Sequence, residues 1–124
     1  MKAKKLYLAT YRLAGAKYHD LYIVWQEIEV GTPVRVLRDR ENLHDPCAIA
    51  VVYDRKSDGE TYLIGYIPAS DNVQLYPFLE QGWEDMFECY VSKKDPEAHS
   101  EHQIEFTVRI KPFAAASRRK KKED

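Results

Sequence analysis

The chain has 124 residues, 44% of them hydrophobic, which is enough for one globular core and too little for two. No apolar run approaches the length of a membrane span, and the N-terminal stretch lacks the apolar centre of a secretory signal, so the sequence predicts a cytoplasmic protein with no membrane partner. The net charge of −1 hides a lopsided distribution, because Lys2, Lys4 and Lys5 open the chain and Arg118, Arg119 and Lys120 to Lys122 nearly close it, leaving an acidic body. Phosphate neutralisation supplies most non-specific affinity for duplexes, so a broad duplex-binding face is disfavoured and a focused pocket fits better.

Leu6 to Leu13 is apolar with aromatic punctuation and reads as the first strand. Gly15 permits a turn, and Lys17 to Asp20 form a polar-aromatic patch. Tyr22 to Val30 alternates imperfectly, and its Val24, Trp25 and Ile28 suit a turn of helix equally well. Gly31 to Pro33 is a turn before two short apolar runs, Val34 to Leu37 and Ala48 to Tyr53, which read as paired strands. Asp58-Gly59 marks the next hairpin, returning through Thr61 to Ile67 until Pro68 withholds a ladder donor. Ser70 or Asp71 is placed to cap a helix with apolar positions Val73, Tyr76 and Leu79, which Pro77 kinks or splits before Gly82. Met86 to Val91 is a further strand with Phe87, Cys89 and Val91 on one face. After a charged loop, Ile104, Phe106, Val108 and Ile110 face inward while Gln103, Glu105, Thr107, Arg109 and Lys111 face outward. Residues 114–124 read as a disordered charged tail. Periodicity alone gives a mainly β domain with one helix late in the chain.

Between the paired strands lies a polar elbow, Arg38 to Pro46. Its Asn42 and Asp45 are residue types that hold irregular turns by accepting from nearby backbone N–H groups. His44 and Asp45 close the elbow, where side chains are presented rigidly beside packed strands. Cys47 and Cys89 fall in apolar surroundings and read as buried free thiols, with a disulfide between them left open.

The elbow residues Leu37, Arg38, Asp39, Arg40, Asn42, Leu43, His44, Asp45, Ala48, Ile49 and Val51 resemble the signature of the HIRAN domain family. Ala14-Gly15 through Tyr18-His19, Gly65-Tyr66-Ile67-Pro68, and Asp71-Asn72 followed by Leu79 and Gly82 resemble further blocks in the same order. The resemblance spans about residues 6 to 111 and implies a small OB-like β-barrel of about six strands. It also implies capture of the 3′ end of single-stranded DNA, with the family's pocket positions falling on Lys17, Tyr18, His44 and Asp45. Lys17 stands where that pocket has Arg, and His44 where it has Tyr; Lys and Arg differ in planar, bidentate recognition.

A nucleotide end offers a base face, a phosphate and a free hydroxyl. Tyr18 or His44 supplies a stacking face, Lys17 or Arg38 a phosphate partner, and Asp45 an acceptor for the hydroxyl, with His19 beside them. Each has a structural alternative: Asp45 bracing the elbow amides, and Arg38 pairing with Asp45 or Asp39, which is the favoured role for Arg38. Nine tyrosines against four phenylalanines add candidates for an outer stacking face, most of them better placed at the core edge. His99 and His102, with Glu97 and Glu101 nearby, lack the further ligands zinc needs and read as solvated loop residues, so no metal or other cofactor is expected. No phosphate loop, nucleophile elbow or zinc-protease helix appears. The expectation is a non-catalytic module for single-stranded DNA or its 3′ ends in DNA repair or replication-fork processing, with protein partners there. The alternatives are a peptide-binding module using a strand edge and, less favoured, a metal-dependent nuclease built on His44 and Asp45.

Overall fold

The structure, a computed structural model, describes residues 5–112, so the predicted tail at 114–124 and the basic residues Lys2 and Lys4 lie outside the described residues. Six strands form: β1 (Leu6–Arg12), β2 (Pro33–Arg38), β3 (Ile49–Asp54), β4 (Thr61–Tyr66), β5 (Phe87–Lys94) and β6 (Ile104–Ile110). They make one antiparallel sheet in the order β1-β6-β5-β2-β3-β4. β2 is the joint: Pro33 and Val34 pair with β5, while Arg35 to Arg38 pair with β3. Irregularities at Tyr7/Ala9, Val51/Val52 and Val91/Lys93 break the ladders and allow strands to bend.

The expected β-barrel is not closed by strand pairing, because β1 and β4 stand at opposite ends of the sheet. A single bridge spans the gap just beyond β1, with Ala14 N–H donating to Tyr66 C=O at 2.8 Å and Tyr66 N–H donating to Ala14 C=O at 2.9 Å. Gly65 makes this approach possible. A Cβ there would stand 2.6 Å from the Leu13 side chain and 2.9 Å from the Ala14 carbonyl oxygen.

The undecided stretch after Tyr22 is helical. Helix α1 (Leu21–Val24) runs into a 3₁₀ turn (Trp25–Glu27), burying Leu21, Val24 and Ile28. The single late helix becomes a 3₁₀ turn (Asn72–Gln74) followed by α2 (Tyr76–Glu80), with Pro77 in the first turn, where its missing N–H costs nothing. Of the expected apolar positions Leu79 is buried and Tyr76 half-buried, while Val73 is exposed and Asn72 and Leu75 are buried instead. Asp71 makes no capping hydrogen bond through its side chain. The core joins Val34, Val36, Ile49, Val51, Ile64, Val91, Phe106 and Val108 from the sheet with residues of both short helices. Thr107, expected outside, is buried because its hydroxyl meets that of Thr10 across the β1–β6 pair at 2.9 Å. Both cysteines are free; Cys47, expected to be buried, is half-buried in the turn just before β3, and Cys89 is buried in β5. No helix among the described residues is long and apolar enough to cross a membrane.

Candidate functional site

Three short acidic or amide side chains at three-residue spacing shape the elbow. Asp39 accepts from Glu41 N–H at 3.3 Å, Asn42 from His44 and Asp45 N–H at 2.9 Å each, and Asp45 from Cys47 N–H at 2.9 Å. The backbone closes beneath them, Asp39 N–H donating to Ala48 C=O at 3.1 Å. Two long-range bonds then fix the elbow to the rest of the fold. Tyr66 Oη donates to the Asp39 carboxylate, and Asn72 Nδ2 donates to Asp45 Oδ2 at 2.8 Å. Asn72 is only 2% exposed, so its amide is a rigid support for the Asp45 carboxylate. An ionised carboxylate has about four acceptor positions, and these two donors leave part of that capacity free.

The elbow, the bridge and the turn after β4 enclose a cleft of about 190 Å³ lined by Ala14, Gly15, Asn42, His44, Asp45, Ala48, Tyr66, Ile67 and Ala69. Asp45 is the one carboxylate among its wall residues, and no lysine or arginine is among them. Gly15 enters it in the left-handed region, φ 68°, and its N–H donates to the Glu101 carboxylate, which also holds Arg12 at 2.9 Å. Tyr66 forms part of the wall, with the His19 ring against it at 5.2 Å between centroids. Burial, then the bond to Asp39, raises the Tyr66 phenol to about 12, so it remains a donor across the working pH range.

The six predicted site residues therefore separate. His44 and Asp45 line the cleft directly, and His19 supports it through Tyr66. Lys17 and Tyr18 sit on the adjoining 3₁₀ turn (Ala16–Tyr18), outside the cleft lining, with the Lys17 ammonium 5.1 Å from the Tyr18 ring centre. Tyr18 is 74% exposed. Arg38 points elsewhere. Its side chain is 9% exposed, donates to Glu80 and to Ala48 C=O at 3.0 Å each, and lies 4.5 Å from the Tyr76 ring centre. It clamps α2 to the elbow through Glu80, rather than pairing with Asp39 or Asp45. His99 Nδ1 accepts from Glu101 N–H, as the cap of a 3₁₀ turn (Ser100–His102).

Residues 6–112 match the family described as the HIRAN domain. The chain belongs to the HIRAN domain family. HIRAN domains are in general DNA-binding modules and typically non-catalytic. The fold of this HIRAN domain is similar to the crystal structure of a protein from Lactobacillus plantarum determined by a structural genomics consortium. The TM-score is 0.69 at 22% identity, covering 86% of this chain and 95% of that one. No curated protein matched the sequence.

Sequence reasoning missed four residues that build the HIRAN cleft: Asn42 and Tyr66 as wall residues, Asn72 behind Asp45, and Glu101 behind Gly15. Asn42 and Asn72 stood in recognisable blocks, but as turn and helix residues. Glu101 carried no local signal, because its partners Arg12 and Gly15 are at the other end of the chain.

Proposed function

We propose that this HIRAN domain binds single-stranded DNA at its 3′ end without catalysing a reaction, in DNA repair or replication-fork processing. The observation that carries the reading is the Asp45 carboxylate, held by Cys47 N–H and Asn72 in a cleft without a cationic wall residue. Such a group accepts a terminal 3′-hydroxyl and repels a continuing phosphate. His44, on the cleft wall, and Tyr18, on the neighbouring turn, offer faces for the terminal base, and Lys17 meets the phosphate behind it. The open sheet is read as an OB-like barrel with its seam drawn together at Ala14 and Tyr66.

The test is binding of short oligonucleotides ending in a 3′-hydroxyl or a 3′-phosphate, each at low and high salt. The hydroxyl ends should bind more tightly, by roughly 5- to 150-fold if the cost of an unmatched buried acceptor applies. Equal affinity for both ends refutes the hydroxyl mechanism. A second reading, strand addition by a peptide, is favoured by one observation: β1 is an edge strand whose Leu6, Tyr7 and Leu8 are exposed. Peptide affinity that barely changes with salt, with no oligonucleotide binding, would select it.

A further inference from the structure

The turn that separates Gly15 from Lys17 divides two cavities of opposite character. On one side is the small cleft with Asp45. On the other is a cavity of about 460 Å³, floored by Ala16 and walled by Lys17, Tyr22, Trp25, Ser100 and Gln103. It contains a cation, two aromatic rings and two neutral polar side chains, and no carboxylate. Four other cavities among the described residues all have an aspartate or glutamate on their walls. Two carboxylates adjoin the lining in sequence, Asp20 beside Leu21 and Glu101 beside Ser100; neither lines the cavity, and Glu101 is committed to Arg12 and Gly15 N–H.

The aromatic groups are presented rather than buried. Tyr22 is 77% exposed, and its neighbour across the turn, Tyr18, is nearly as open. Trp25 is half-buried and held from one side by Lys94, whose ammonium lies 4.6 Å from the indole centre and donates to Trp25 C=O. Lys17 lines the cavity, with its ammonium over the neighbouring Tyr18 ring. The cleft is smaller than a usual ligand site, whereas this cavity is within the usual range of about 300–1,000 Å³.

We infer that the cavity of Lys17, Tyr22 and Trp25 holds a nucleotide on the 5′ side of a DNA strand whose 3′ terminus occupies the Asp45 cleft. The inference rests on the end-binding reading and extends it to a second subsite. The terminal sugar has an uncharged hydroxyl and goes to the wall with the carboxylate. The preceding nucleotides carry phosphate and an aromatic base, and go to the wall with a cation and rings. Stacking tolerates any base, so the subsite adds affinity and strand polarity without sequence preference.

The test compares the full chain with Tyr22→Ala and Lys17→Ala, titrated with thymidine 5′-monophosphate and an oligothymidylate octanucleotide, each carrying a 3′-hydroxyl or a 3′-phosphate. Tyr22 is exposed enough for its removal to leave the fold intact, which circular dichroism checks. Tyr22→Ala should weaken the octanucleotide by roughly 5- to 150-fold, the range for one lost stacking platform, with the mononucleotide and the end preference unchanged. Lys17→Ala should lower the log–log salt slope for the octanucleotide by about 1. If Tyr22→Ala binds both lengths as the unaltered chain does, while the end preference persists, the second subsite is refuted and the end reading stands. If the octanucleotide shows no end preference but Tyr22→Ala still weakens it, the end reading fails and the cavity remains a DNA contact. If the unaltered chain binds no oligonucleotide, both fall.

Discussion

Gly65→Ala tests the seam on which the cleft depends. The new methyl would lie 2.6 Å from Leu13 Cγ and Cδ1 and 2.9 Å from the Ala14 carbonyl oxygen. Carbon atoms settle at about 3.5–4.0 Å, so Leu13 or the bridge has to yield by roughly 1 Å. Leu13 is 1% exposed and packed in the core, which leaves it little room to rotate. Overpacking of this kind costs about 1–3 kcal/mol, and loosening the two Ala14–Tyr66 hydrogen bonds adds about 1 kcal/mol or more. A total of about 2–4 kcal/mol corresponds to a fall in Tm of about 8–16 °C at this chain length. Calorimetry and denaturant titration measure it directly, and oligonucleotide binding should weaken in the same variant because Ala14, Gly15 and Tyr66 line the cleft. Stability within about 0.5 kcal/mol of the unaltered chain would show that the seam accommodates a side chain and that this account of Gly65 is wrong.

Further outcomes follow from the same geometry. Asn72→Ala removes the amide that fixes Asp45 Oδ2, and should destabilise the fold by about 1–3 kcal/mol while eroding the preference for 3′-hydroxyl ends; an unchanged preference would remove Asn72 from the site. Stability should be flat up to about pH 8 and fall as pH rises from about 9, where the unfolded Cys89 thiol begins to ionise, towards 12. Tyr11 and Tyr66 are raised, chiefly by burial, from 10.0 to about 12, so the unfolded chain releases their protons first. Burial likewise raises Cys89 from 9.0 to about 12, and a midpoint of denaturation that is constant through this range would contradict the burial of all three groups. Alkylation of the native chain should modify Cys47 and spare Cys89, with both reacting in denaturant; equal native rates would contradict the placement of Cys89 in the core.

The strands were readable because their apolar residues repeat at the period their environment demands. Phe87, Cys89 and Val91 alternate into the core, as do Ile104, Phe106 and Val108. The elbow was readable for a different reason: Asn42 and Asp45 act on backbone groups two or three residues away. The limits appear where distant contacts decide. Thr107 is polar and sits at an outward position of its strand, yet Thr10, from the opposite end of the chain, buries it. Val73 and Leu75 are both apolar, and only the packing of the two-piece helix against the sheet buries Leu75 and leaves Val73 exposed. The site shows the same division. His44 and Asp45 were visible as elbow residues, but the partners that aim and enclose them, Asn72 and Tyr66, come from elements that meet the elbow only in the folded chain. Arg38 was grouped with the pocket by sequence proximity, while Glu80 and Tyr76 draw it to the other side.

The most direct measurement of the central claim is a thermodynamic cycle between Asp45→Ala and removal of the terminal hydroxyl from a short single-stranded oligonucleotide. In the unaltered chain, replacing the 3′-hydroxyl by hydrogen should weaken binding by roughly 5- to 150-fold, and in Asp45→Ala the same replacement should make almost no difference. An equal loss in both proteins would mean that Asp45 does not receive the hydroxyl, and the proposed recognition of a strand end by this carboxylate would be wrong.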